Sequence, residues 1–159
     1  MKLLQSILNK ALIIAASVSL VNAQVYEKGS KITSFKAQDQ HGFAYEFEAA
    51  KTQYLLVSFD METGKKANAA LTAQGAEFLT NKKAVYVANI FGMPGIGRFF
   101  ALPKMRKYSH RIILGDDASL LTPYPQQVAK VTVLTLRGGV VQEVRYWDPA
   151  TESVVELLK

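Results

Sequence analysis

The residues of this chain best suited to chemistry crowd into one short segment, Asp60-Met61-Glu62-Thr63-Gly64-Lys65-Lys66. Two carboxylates and two lysines there frame a threonine and a glycine. The Thr-Gly-Lys run invites a phosphate-loop reading. That loop needs a glycine five positions before Gly64 and a serine or threonine after the lysine. Phe59 and Lys66 occupy those places, which excludes nucleotide hydrolysis by this route. Asp60 and Glu62 suit a general acid/base pair at the end of a strand, where α/β sheets place ligands; the plainer reading is a helix-capping loop. Amides at a helix start, with Lys65 and Lys66 beside them, suit an anion. Two lysines also oppose the helix dipole there, so the plainer reading is a solvated helix start.

Other chemistries fall on composition. The chain has no cysteine, which removes disulfides, thiol catalysis and thiolate metal sites. Its two histidines, His41 and His110, cannot by themselves supply the three or four ligands of a metal centre. Asp116 and Asp117 stand near His110 in sequence, but adjacent aspartates suit a turn or a cap. Ser58 and Ser109 lack the G-x-S-x-G context of a nucleophile elbow. Gly92, Gly95 and Gly97 have the wrong spacing for a dinucleotide fingerprint. Neither a metal nor a cofactor is expected.

A second candidate region is electrostatic. No acid occurs between Glu77 and Asp116, while Lys82, Lys83, Arg98, Lys104, Arg106, Lys107 and Arg111 do, interleaved with Phe91, Phe99, Phe100 and Tyr108. Lys104, Arg106, Lys107 and Arg111 suit a surface for an acidic partner, an anionic lipid or an envelope polymer. The alternative is a helix that buries its aromatics and solvates its lysines.

The elements that must position these residues are legible in the pattern. Lys31 to Gln38 is extended, Asp39-Gln40-His41-Gly42 is a turn, and Phe43, Tyr45 and Phe47 alternate with polar or small residues, which predicts a hairpin with those rings on its buried face. Tyr54 to Phe59 and Ala84 to Ile90 are continuous apolar runs, as in strands covered on both faces. Between them Lys65 to Leu79 reads as a helix weakened by Gly75. Phe99 to Tyr108 reads as a second helix and Arg111 to Leu114 as a short strand. Val131 to Thr135 and Val140 to Trp147 flank Gly138-Gly139, a two-residue hairpin turn. Asp148-Pro149 suits the start of a last helix. Strands joined through helices imply parallel pairing in the middle of an α/β mixed sheet, with helices on both faces and antiparallel edges.

The first 23 residues read as an address. Lys2 and Lys10 precede an apolar run from Ala11 to Val21, and Val21-Asn22-Ala23 has small residues at its first and third places. That is the pattern of a secretory signal peptide, too short in its apolar part to span a bilayer. Removal after Ala23 leaves one domain, 24–159, with the formal net charge lowered from +6 to +4. A periplasmic location follows, with no transmembrane segment after signal removal and no nucleic acid as partner.

The order of elements resembles the thioredoxin fold in its peroxiredoxin-like form, where a strand runs into a loop holding the reactive cysteine. Here Leu55 to Phe59 runs into Asp60-Met61-Glu62-Thr63-Gly64-Lys65-Lys66, without a sulfur nucleophile. The proline that usually precedes the next hairpin strand is also replaced, by Lys130 before Val131. Three stretches are similar to the YtfJ-like family of exported bacterial proteins: Lys65 to Leu71, Met93-Pro94-Gly95-Ile96-Gly97-Arg98-Phe99, and Val131 to Val141 with its Gly138 turn. The resemblance implies export and a thioredoxin-like fold without redox cysteines; it implies no settled activity. The reading that follows is a non-catalytic periplasmic binding or adaptor protein. Its ligand site lies around Asp60, Thr63, Gly64, Lys65, Lys66, Pro94, Gly95 and Arg98, and its partner is an envelope protein or a small anionic ligand. The alternative is a non-thiol enzyme using the Asp60–Lys66 loop or a bound cofactor.

Overall fold

Period-two and all-apolar segments supply the strands. In the computed structural model, which describes residues 24–159, they form one seven-stranded mixed sheet in the order β2-β1-β5-β4-β3-β6-β7. The strands are β1 Lys36–Asp39, β2 Ala44–Glu46, β3 Tyr54–Ser58, β4 Ala84–Asn89, β5 Ile113–Gly115, β6 Val131–Arg137 and β7 Val140–Trp147. β3, β4 and β5 run parallel to one another, with Leu56 opposite Tyr86 and Val87 opposite Ile113. β6 is antiparallel to β3, and β7 to β6. Every residue of β3 is buried, as its unbroken apolar run requires of a strand covered on both sides. The helices are α1 Met61–Thr72, α2 Phe78–Asn81, α3 Gly95–Met105, α4 Ala118–Leu121 and α5 Val154–Leu157.

Alternate residues of the central strands feed two cores. Tyr54 and Leu56 of β3, Tyr86 of β4 and Val131 and Val133 of β6 pack with Ala67 and Leu71 of α1, Leu79 of α2, Met105 of α3 and Val154 of α5. Leu55, Val57, Val87, Ile113 and Leu134 face the other way, against Tyr26, Ile32 and Phe47 of the N-terminal part and Leu121 of α4. Helices thus cover both faces. The β3–α1–β4 and β4–α3–β5 crossovers lie on the same face, so α1 and α3 stand side by side above the ends of β3 and β4.

Three sequence expectations change. Gly75 does not weaken a long helix: it takes φ +90°, a conformation that favours glycine, and α1 has already ended at Thr72 before α2 begins at Phe78. The hairpin is present, with the Asp39 carboxylate accepting from the amides of His41 and Phe43. Its rings are not uniformly inward: Phe47 is buried and stacked on Phe35, but Phe43, just before the edge strand β2, is 68 % exposed among the described residues. No helix starts at Asp148-Pro149. The Trp147 indole donates to the Glu152 carbonyl at 2.9 Å, taking an acceptor that a continuing helix would use, and only Val154–Leu157 is helical. The expected signal peptide, 1–23, lies outside the described residues.

Candidate functional site

The loop after β3 is built by Asp60. Its side chain accepts from the Thr63 amide at 2.8 Å and from the Thr63 hydroxyl at 2.7 Å, which starts α1 immediately after the strand. Burial pushes the Asp60 carboxyl up, but these bonds and the Glu62 amide outweigh it, and the group stays below the usual carboxylate range. Glu62 is exposed and takes the Lys65 ammonium at 2.8 Å, which also holds it low. Neither carboxyl therefore keeps a proton at neutral pH, as a general acid must. The charge at this helix N-terminus is supplied by the chain itself.

Beside this cap, between α1 and α3, lies a cavity of about 240 Å³. Ser58, Ala88 and Asn89 at the ends of β3 and β4 form its floor. Asp60, Met61, Gly64, Lys65 and Asn68 line one wall; Gly97, Phe100, Ala101, Lys104 and Met105 of α3, with Tyr108 beyond it, line the other; Ile90 and Met93 of the intervening loop close the end. The lining is mainly apolar. The chain has four methionines, and the three that follow Met1 all reach this cavity. Unbranched thioether side chains adapt their shape to what they cover. Gly64 matters to the floor: a Cβ there would lie 3.6 Å from Ser58 Oγ and 3.8 Å from Tyr86 Oη, so any larger side chain would occupy cavity space.

Behind the lining is a buried polar chain. Ser58 Oγ and Tyr86 Oη share a hydrogen bond of 2.8 Å. His110 Nε2 lies 2.9 Å from Asn68 Oδ1, its Nδ1 lies 3.4 Å from Thr72 Oγ1, and its ring stacks on Tyr108. Burial lowers the His110 pKa to about 4, so the imidazole is neutral, and donation from Nε2 to the Asn68 oxygen leaves Nδ1 to accept from Thr72. His110 is therefore occupied inside the fold. Asp116 pairs with Arg98 and Asp117 caps α4 through Ser119, so these three residues do not converge.

Sequence-predicted residues divide accordingly. Asp60, Gly64 and Lys65 line the cavity, and so does Lys104, which had been grouped with the partner surface. Thr63 is buried under its bonds to Asp60, and Lys66 is exposed outside the lining. Gly95 and Arg98 line a shallower groove on the far side of α3 with Lys104, Arg106 and Lys107, whereas Pro94 lines neither. Arg98 braces the loop that closes the cavity: it binds Asp116 through both terminal nitrogens, and donates to the carbonyls of Met93 at 3.0 Å and Ile90 at 3.3 Å. Arg106 donates to the Gln40 carbonyl, and Arg111 binds Asp39 at 3.0 Å and lies over the Tyr45 ring. The basic run is therefore split between bracing and surface. Sequence reasoning missed Asn68, Met93 and Met105 as lining residues, and no local pattern marks any of the three.

No family model matches the chain, and no curated protein matches it in sequence. Solved structures do match in shape. A putative thiol:disulfide interchange protein DsbE from Chlorobium tepidum superposes with a TM-score of 0.56 at 14% identity, over 84% of this chain and 95% of that one. The thioredoxin domain of a thiol-disulfide oxidoreductase from Bacteroides vulgatus gives 0.53 at 14% identity, over 84% and 99%. The pneumococcal exposed lipoprotein thioredoxin Etrx1 from Streptococcus pneumoniae gives 0.54 at 15% identity, over 79% and 98%. At such identities the likeness establishes the fold: a mixed α/β sheet of thioredoxin type, here without a cysteine.

Proposed function

We propose that this thioredoxin-like scaffold without cysteine is a non-catalytic periplasmic binding protein of YtfJ-like type, and that the cavity between α1 and α3 holds its ligand. The observation that carries this reading is the lining. The chemistry of a thioredoxin-like fold runs through a thiolate at the start of the helix after the strand. At that place this chain has an ionised aspartate cap, and beside it an apolar cavity whose sulfur is all thioether. Such a site can recognise but has no sulfur nucleophile with which to exchange disulfides. The ligand class is small and amphiphilic. An apolar body would pack on Met61, Met93, Phe100 and Met105, and an anionic group would meet Lys104, which makes no ion pair among the described residues, or Lys65 at the rim. An envelope protein presenting an apolar side chain beside a carboxylate would satisfy the same contacts. Export through a signal peptide at 1–23 is supported by the basic, apolar and small-residue order of that segment and by neighbours described as an exposed lipoprotein and a DsbE. Among the described residues no helix is long and apolar enough to cross a membrane.

Native mass spectrometry of the protein recovered from the cell envelope tests the proposal, with Ala101→Phe as the cavity-filled control. The expected result is a co-purifying small molecule or peptide present on the wild type and absent from the variant. Equal retention by the filled variant would place any ligand elsewhere and overturn the reading.

A further inference from the structure

The apolar stripe of α3 points away from the protein. Ile96, Phe99, Phe100 and Pro103 follow at i, i+3, i+4 and i+7, the spacing of one helical face. Ile96 is 70 % exposed, Phe99 71 % and Phe100 60 %, and Pro103 is exposed as well. The opposite face, turned inward, carries Arg98, Ala101, Leu102 and Met105. The rings of Phe99 and Phe100 meet edge to face at 5.3 Å. Lys104 stands one turn beyond Phe100, and Lys107 one turn beyond Pro103; both are exposed. No acid occurs anywhere from residue 78 to residue 115.

A helix face of large exposed apolar side chains, ending in cations within a stretch free of acids, is complementary to an anionic lipid surface. Rings of this kind bury at the boundary between lipid headgroups and acyl chains, and ammonium groups beside them meet the lipid phosphates. A protein partner would need a groove shaped to three particular side chains, whereas a bilayer boundary yields to any ridge. We propose that α3 docks this protein on an anionic phospholipid bilayer, with Ile96, Phe99 and Phe100 in the interface and Lys104 and Lys107 on its phosphates. Docking shares Phe100 and Lys104 with the cavity lining, whereas Ile96, Phe99 and Lys107 lie outside it, so variants at those three residues test docking apart from what the cavity holds.

Co-sedimentation of the protein, in the form the cell accumulates, with two vesicle preparations tests this. One is phosphatidylcholine mixed with phosphatidylglycerol, the other phosphatidylcholine alone. Binding is expected to favour the anionic vesicles and to fall with added salt. Lys107→Glu should weaken it roughly fivefold or more, from the loss of one cation near the surface. Ile96→Ser with Phe99→Ser should weaken it at least about tenfold, with an unchanged circular-dichroism spectrum, since neither residue is buried. Equal binding to both vesicle types, or undiminished binding by the double variant, would overturn the proposal. So would a wild-type dimer that the double variant dissociates, in the absence of vesicle binding, which would assign the ridge to a second copy of the chain.

Discussion

Acid should weaken this fold through one imidazole. His110 is 1 % exposed, and its two ring nitrogens lie against Asn68 and Thr72. Its pKa falls from 6.5 to about 4 because burial strips water from the charged form. In the unfolded chain the same ring takes a proton near its ordinary value. The contribution of His110 to stability is therefore complete above about pH 6.5 and is lost as pH falls toward 4, because over that window the unfolded state binds the extra proton. A shift of this size is worth about 3 kcal/mol at most, of which roughly 2–3 kcal/mol has gone by pH 4.5. Urea unfolding of the wild type and of His110→Gln between pH 7.5 and pH 4.5 isolates the term. The wild type should lose about that much more stability than the variant across the window. Parallel curves for the two proteins would refute the reasoning, as would a His110 ring proton resonance that titrates near 6.5.

Other substitutions follow from the same geometry. Gly64→Ala should raise stability by about 0.5–1 kcal/mol, since helical alanine outranks glycine and the new methyl meets only ordinary contacts; chemical denaturation checks this, and a loss would mean that the floor is tighter than the distances indicate. Gly115→Ala should cost about 1–3 kcal/mol, because a Cβ there falls 3.0 Å from Leu121 Cδ2 and 3.2 Å from Val87 Cγ1; a thermal melt reads it. Arg98→Ala should speed amide exchange in the Ile90–Met93 loop more than Asp116→Asn does, since only the former removes the donors to the two loop carbonyls.

How much of this was readable beforehand depended on whether a residue's role was local. β3 and β4 were legible because a central strand of the sheet needs an unbroken apolar run, and residues 54–57 and 84–88 supply one. The Gly138-Gly139 turn was legible because both glycines adopt positive φ, 58° and 78°, and few other residues can. The orientation of α3 was not. Its stripe from Ile96 to Pro103 has the spacing of a core-facing helix, yet the helix is held by Arg98, whose bonds to Ile90, Met93 and Asp116 turn that side inward. Those partners lie up to 18 residues away, and no periodicity encodes them. The cavity was half legible. The loop from Asp60 to Lys66 marked its position, but Met61, Met93 and Met105 are scattered along the chain, and their common destination follows only from the parallel order of β3 and β4. Asn68 carries no local signal, because its buried partner, His110, is 42 positions away.

The central claim is that the apolar cavity beside the start of α1 binds a ligand, and the methionines report on it directly. All three methionines within residues 24–159 line that cavity, so a methyl-labelled protein carries three probes there. Titration with octanoate, an apolar chain bearing one carboxylate, should move the Met61, Met93 and Met105 methyl resonances together and saturably, with smaller shifts when Lys104 is replaced by glutamate. Three unmoved resonances in a folded protein, or shifts that persist unchanged in Ala101→Phe, would contradict the account.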